Sequence, residues 1–567
     1  MLTTRSDSHI GSAKVRFGCF LLSVCVVFPS ASALPKPSEM WFRVDLPHFT
    51  LFSNADCART LEVGAGLERF RSLLETIAEG VKTEPSLPSR VYVFRDSQSF
   101  EDYRGRSGIA GYFIETSDES YIAINASAGQ EPLRVICHEY VHQFLRENFP
   151  GTPLWLSEGL AEFYSTFQET GSTVQVGQPI PRHLEVLRRG RWIPMERLFE
   201  ITPRSREYNV RDWMTDFYAE SWVVTHYLIG SDQMRRRHIG EFFSLLQLGR
   251  DPREVLLASI GMDLSTLERA AKAYARQPSF AYYQLVLPGP LAAGKEPDLA
   301  PLDRAGVFCR LGDLLVHTRP LQADEVEKRV QAALALDPNL ADAFITLGML
   351  RQAQNRLDEA EGTLERAIAM GSRDARAYRL TGSMALDRAA GMPKDTPEAN
   401  RSRSETLSRA RERLRKSLGL ESRNPRTLFL LGKACAQDPA VTGSELEEGI
   451  NALRKARRRL GANGEVAFDL LWLLARKGES GEARSILEES IRPLKPDPAL
   501  VADAERVVVD AEIAKADDLA VQGKTDDALA LIEGAIKHTS SDDLKRILAE
   551  CESRIRAPTQ PTQKTAP

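Results

Sequence analysis

Short alternating apolar runs come first along the chain. FTLFSN (49–54), RVYVFRD (90–96), AGYFIET (110–116) and SYIAIN (120–125) place apolar side chains at about every second position, which predicts β-strands. Between the first two runs, residues 56–80 carry a long helical pattern. From 131 onward the pattern is nearly all helical, over 131–148, 154–168, 181–189, 211–230, 235–248 and 263–277. Strands first and helices after predict an α+β unit over 34–286, a small sheet plus helices.

LPGPLAAGKEPDLAPLD (287–303) is rich in Pro, Gly and Ala and has no periodicity, so it reads as a linker. Beyond it, 304–555 is helical with a recurring motif. Gly382 lies 34 residues after Gly348, and Gly432 follows 50 later, the 15-residue polar insert at 391–405 accounting for nearly all of the extra 16. Leu311-Gly312 precedes Leu347-Gly348 by 36. Small residues recur at helix-crossing offsets: Ala360 and Ala367, Ala483, then Ala528 and Ala535. This pattern resembles tetratricopeptide repeats, an all-α solenoid of helix pairs that stack face to face and take protein partners. The tail 556–567 is polar, rich in Pro and expected to be disordered.

Composition adds little for the body of the chain and more for its start. With 567 residues, 43% hydrophobic and 27% charged, the chain needs several cores. A net charge of −4 gives no reason to expect nucleic acid as a partner. Lys14 and Arg16 precede the uncharged FGCFLLSVCVVF (17–28), and Ala31-Ser32-Ala33 follows. That order predicts a secretory signal peptide over 1–33 and an exported mature chain, periplasmic or extracellular, with an uncleaved anchor as the alternative. Its removal leaves Cys57, Cys137, Cys309, Cys435 and Cys551, an odd number with no C-x-x-C. This excludes a disulfide framework and a cysteine zinc site, while leaving a single pair open.

The chemistry concentrates in EPLRVICHEYVHQFLREN (131–148). On a helix, Val135, Ile136, Tyr140, Val141, Phe144 and Leu145 form an apolar side. His138 and His142, four apart, project from one face and can reach one ion at about 2.0–2.1 Å. Glu139 lies beside them, placed to take a proton from a water that zinc has acidified. Two histidines leave zinc one protein ligand short. Leu145 and Asn148 stand where a third-histidine pattern would need Gly and His. Downstream, PLWLSEGLAEFYSTF (153–167) reads as a second helix, returned by Gly151 and Pro153, which brings Glu158 toward the histidine face. Glu162, one turn on, suits a carboxylate that orients a ligand histidine. Cys137 should point away from the metal face.

HEYVH…WLSEGLAEF resembles the gluzincin metallopeptidases, and in particular bacterial peptidase-MA-like proteins that join such a domain to tetratricopeptide repeats. The resemblance spans roughly 47–280. It implies a zincin-like fold, one Zn2+ held by His138, His142 and Glu158, and Glu139 as general base and acid. Ser157 replaces an Asn common in the group and changes no ligand; the gap from His142 to Glu158 is slightly shorter than in the zinc aminopeptidases and no G-x-M-E-N motif precedes the helix, so an aminopeptidase assignment is not justified. Tyr218, in TDFYAESWVVTHYLIG (215–230), matches the place of an oxyanion-stabilising tyrosine, with His226 and His183 as the other candidates. GYFIETSDESYIAIN (111–125) reads as a hairpin, its outer strand either binding substrate backbone or only edging the sheet. Asn125-Ala126-Ser127 is a glycosylation sequon. The resulting expectation is an exported zinc metallopeptidase acting on a peptide or protein substrate, its repeats recruiting that substrate or a partner. The alternative is a repeat scaffold whose peptidase-like part is idle.

Overall fold

The computed structural model describes residues 35, 39–77, 89–104, 109–116, 119–127, 132–149, 151–171, 173–230, 240–246, 250–286, 298–318, 320–460, 463–494 and 496–557. The expected signal peptide (1–33) and all but the first two residues of the tail (556–567) lie outside them. Among the described residues no helix is long and apolar enough to cross a membrane.

Strand β1 (Phe42–Asp45), which no predicted run covers, precedes β2 (Phe49–Ser53), β3 (Ser89–Phe94), β4 (Gly111–Glu115) and β5 (Ser120–Asn125), which form where the alternating runs predict them. Helix α1 (Cys57–Ile77) crosses from β2 to its parallel neighbour β3, and α2 (Ser97–Phe100) follows β3. The sheet order is β4-β5-β3-β2-β1-β9, with β9 (Leu299–Pro301) antiparallel to β1. The aperiodic stretch 287–303 is thus not wholly a linker. Its end takes the free hydrogen-bonding edge of β1, which residue pattern alone does not reveal; 287–297 lie outside the described residues.

Helices α3 (Pro132–Asn148), α4 (Leu154–Ser165), α5 (Pro181–Arg188), α6 (Met195–Glu200), α7 (Arg206–Asn209) and α8 (Arg211–Gly230) come next. Then follow α9 (240–246), α10 (Pro252–Ile260) and α11 (Leu264–Ala275). Of the helix expected over 235–248, residues 235–239, 247 and 248 fall outside the described set. The region is not purely helical. β6 (Gln168–Thr170), β7 (Thr173–Val176) and β8 (Tyr283–Val286) make a second, antiparallel sheet. Its strands are three or four residues long, too short for a period to stand out.

Helices α12 (Arg304–Val316) and α13 (Ala323–Leu336), α14 (Ala341–Ala353) and α15 (Leu357–Ala369), α16 (Ala375–Gly391) and α17 (Pro397–Leu420) pair in turn. So do α18 (Pro425–Gln437) with α19 (Gly443–Leu460), α20 (Gly464–Lys477) with α21 (Ser480–Ile486), and α22 (Pro498–Val521) with α23 (Thr525–His538), before α24 (Asp542–Arg556). The recurring glycines sit where paired helices touch. A Cβ at Gly348, Gly382 or Gly432 would lie 2.7, 2.9 or 2.2 Å from Leu364, Leu414 or Leu453. The polar insert lengthens the third pair: Thr396 caps α17 by accepting from Ala399 N, and Pro397 starts it.

The central strands are buried on both faces. Val91 and Val93 of β3, with Ile122 and Ile124 of β5, pack against α1 and α3. Tyr92 and Phe94, with Tyr121 and Ala123, share a core with Phe308, Leu311 and Leu315 of α12 and with residues of α14 and α16. The first repeats therefore form the second cover of the sheet. The five cysteines named above are all free thiols, Cys57 exposed and the rest buried.

Candidate metal centre

Helix α3 is fixed by its apolar side. Ile136, Cys137, Tyr140, Val141, Phe144 and Leu145 are buried in the core between sheet and helices, leaving His138, Glu139 and His142 on the half-buried opposite face. Cys137 turns into the core as expected, and burial pushes its thiol up. The chain reverses at Gly151 (φ 87°), a left-handed conformation that glycine adopts without strain. Helix α4 then packs on α3 and on α8. At Gly159 the crossing with α8 is so close that a Cβ would lie 2.0 Å from Thr225 Oγ1 and 2.3 Å from Ser221 O. The glycine beside Glu158 thus sets how deeply α4 sits.

Three donor atoms converge. His138 Nε2 and His142 Nε2 are 3.2 Å apart, and Glu158 Oε2 lies 3.4 Å from the first and 3.3 Å from the second. Ligands about 2.0–2.1 Å from a tetrahedral zinc are separated by about 3.3–3.4 Å, so the triangle matches such a site. Glu158 Oε2 is buried and accepts no hydrogen bond of good geometry, an orphaned oxygen facing both imidazoles. The outer ring nitrogens are also engaged. His142 Nδ1 is 2.9 Å from Ser157 Oγ, and His138 Nδ1 is 3.7 Å from Glu162 Oε1. Glu162 Oε2 in turn meets Arg134 Nη2 at 3.1 Å and His183 Nε2 at 3.3 Å. Partners of this kind hold a ligand ring in the orientation that presents Nε2 to a metal.

The charges agree with the geometry. Burial opposes charge on His138, but Glu158, Glu162 and Glu139 outweigh it and hold the imidazole up at about 9. Burial would raise Glu158 and Glu162; their histidine neighbours outweigh it, and both carboxyls sit well below the usual range. Burial raises Glu139, partly offset by His138 and His142. The carboxylates of Glu158 and Glu162 and the imidazole of His138 thus favour one another's charged forms.

Tyr218 comes close, its ring 6.3 Å from that of His138. His183 lies behind the centre, on Glu162. His226 does not reach it: Nδ1 pairs with Tyr274 Oη at 2.9 Å and Nε2 with Gly177 O at 2.8 Å, deep in the core. Tyr208 escaped sequence reasoning. Its hydroxyl donates to Glu158 Oε1 at 3.1 Å. It lies on a four-residue helix whose pattern carries no signal. A cleft of about 450 Å³ opens beside His142, lined by Leu145, Phe149, Leu154, Phe199 and Ile201. The 111–125 hairpin forms as expected, with β4 outermost, and Gly111 lets it approach α3.

Comparison with known proteins bears on the helical part. Residues 345–392 match the family model Tetratricopeptide repeat. Among solved structures, YrrB, "a TPR protein with an unusual peptide-binding site", is 18% identical and covers 39% of this chain and 97% of its own, with a TM-score of 0.26. PilF of Pseudomonas aeruginosa is 18% identical over 44% and 97%, with a TM-score of 0.25. The TPR2AB domain of yeast Sti1 is 15% identical over 44% and 100%, with a TM-score of 0.16. No curated protein matches. The chain thus carries a tetratricopeptide repeat at 345–392, within a helical part that follows a sheet-containing one.

Proposed function

We propose that the protein is an exported zinc metallopeptidase whose repeats hold a protein substrate or partner. The observation behind this reading is the 3.2–3.4 Å triangle of His138 Nε2, His142 Nε2 and Glu158 Oε2. When bound, zinc supplies a Lewis acid that lowers the pKa of a water to about 7 and polarises a carbonyl. Glu139, on the same helix face, takes the proton of the attacking water on its carboxylate and returns it to the departing amine. Tyr218 offers its hydroxyl to the oxyanion. The cleft beside His142 accommodates the chain being cut. The basic, apolar, small order at 1–33 supports export.

A second reading has its own support. The tetratricopeptide match favours a repeat scaffold that binds protein, with the N-terminal part idle. Zinc content of the purified chain, beside His142→Ala, decides whether the centre holds metal: about one zinc per chain in the parent, lost in the variant. Glu139→Gln then separates the readings. The peptidase reading requires hydrolysis to fall by about 10²-fold or more with zinc and partner binding kept. A function that survives Glu139→Gln leaves the scaffold.

A further inference from the structure

We infer that Tyr208 is a positioning residue for the metal centre, holding Glu158 so that a single oxygen faces the ion. This rests on the zinc reading above. The carboxylate of Glu158 is divided in its duties. Oε1 accepts from Tyr208 Oη at 3.1 Å, while Oε2 faces the two imidazoles. A carboxylate free at both oxygens can rotate or take a metal with both; one tied at Oε1 presents Oε2 alone. Tyr208 is itself held. Its ring packs edge-on to Phe217 and lies 6.3 Å from Tyr218. The turn that carries it is clamped on both sides. Arg197 of α6 grips Glu207 through Nε and Nη2, both at 2.8 Å. Asn209 Nδ2 donates to Pro203 O and Ser205 O, both at 2.8 Å. A four-residue helix, too short to be stable alone, is thereby made a rigid support for one hydroxyl.

The test is Tyr208→Phe, which keeps the ring and removes only the donor. Zinc affinity is read by competition with a chromophoric chelator, and the cobalt-substituted protein is read by its d–d absorption. The expected result is a loss of about 10–100-fold in zinc affinity, as for other groups that orient a ligand. The cobalt bands should weaken and shift as Glu158 becomes free to bind through both oxygens. Parent-like far-UV circular dichroism and Tm in the variant separate this effect from a change in fold. Arg197→Gln, at a half-exposed position, loosens the turn without touching the centre and should weaken zinc in the same direction by a smaller factor. Parent-like affinity and an unchanged cobalt spectrum in both variants would overturn the inference. A parent that binds no zinc would instead overturn the metallopeptidase reading on which it stands.

Discussion

Arg376 is the residue whose removal should be felt most widely. It sits on α16 at the seam between the sheet and the repeats, almost fully buried. Nη1 donates to Asp313 Oδ1 at 2.8 Å and to Tyr121 Oη at 3.1 Å, and lies 3.1 Å from Glu119 Oε2. Nη2 holds Asp374 at 2.7 Å. Arg90 of β3 completes the cluster, at 2.8 Å from Asp313 and 2.5 Å from Glu119. Two guanidinium groups thus neutralise most of three carboxylates, one from the residue before β5, one from α12 and one from the cap of α16. Arg376→Ala leaves those carboxylates to Arg90, to His317 at 3.8 Å from Asp313 and to the Tyr121 hydroxyl on Glu119, in a largely buried site. Removing one member of such a buried set costs about 3–5 kcal/mol. Because the cluster joins both parts, the loss should appear in both. Urea unfolding read by far-UV circular dichroism follows chiefly the repeats; tryptophan fluorescence follows the N-terminal part, where Trp41, Trp155 and Trp222 are buried. Both transitions should move together. The pH dependence has a defined sign. Burial would raise Asp313 and Asp374, but the arginines outweigh it and depress both. Their contribution is present above the unfolded value of about 3.8 and is lost as pH falls below it. Arg376→Ala should therefore also flatten the acid limb. A loss below about 1 kcal/mol, or one seen only by circular dichroism, would refute the seam as a stabilising joint.

A chain of residues 34–303, without repeats, exposes Phe52, Tyr92, Phe94 and Tyr121 and should bind a hydrophobic dye and lack a cooperative melt; a sharp melting transition would show that the sheet needs no second cover. Gly159→Ala drives a methyl into Ser221 O and Thr225 Oγ1, should cost about 1–3 kcal/mol or more by thermal unfolding, and should displace Glu158 enough to weaken zinc; a parent-like Tm and zinc content would contradict the close crossing. Glu220 is pushed up to about 9 by burial, against a backbone bond from Ile193 N that favours its charged form. A raised carboxyl contributes its stability below the unfolded value of about 4.5 and loses it as pH climbs toward 9, roughly 3 kcal/mol by pH 7. Glu220→Gln should remove that slope, so the variant's advantage in urea grows from pH 5 to pH 8, and parallel profiles would refute it.

Much of this was legible because it was local. The four runs at 49–54, 90–96, 110–116 and 120–125 became β2 to β5 nearly residue for residue, since strand period and turn residues act within one segment. The convergence of His138, His142 and Glu158 was equally legible: four residues is one helical turn, and Gly151 returns the next helix. Tyr208 was not legible, because its role depends on where a four-residue turn is clamped by Arg197, a contact that no periodicity encodes. Nor was the strand at Leu299–Pro301, whose formation depends on an edge that β1 leaves open far away in sequence.

The seam between the two parts lies between these cases, and its trace was in the sequence. A sheet with one solvated face alternates apolar with polar residues. β3 instead reads Val91, Tyr92, Val93, Phe94, and β5 reads Tyr121, Ile122, Ala123, Ile124, apolar at both phases. Such strands need cover on two sides. Helices α1 and α3 supply one side. The other is supplied by α12, α14 and α16, which lie beyond the stretch read as a linker. The doubled apolar phase therefore already called for helices from elsewhere in the chain, and the repeats were the helical layer at hand. A boundary drawn on the Pro- and Gly-rich composition of 287–303 missed this because composition reports how the chain turns, whereas burial on both faces reports what must be packed against it.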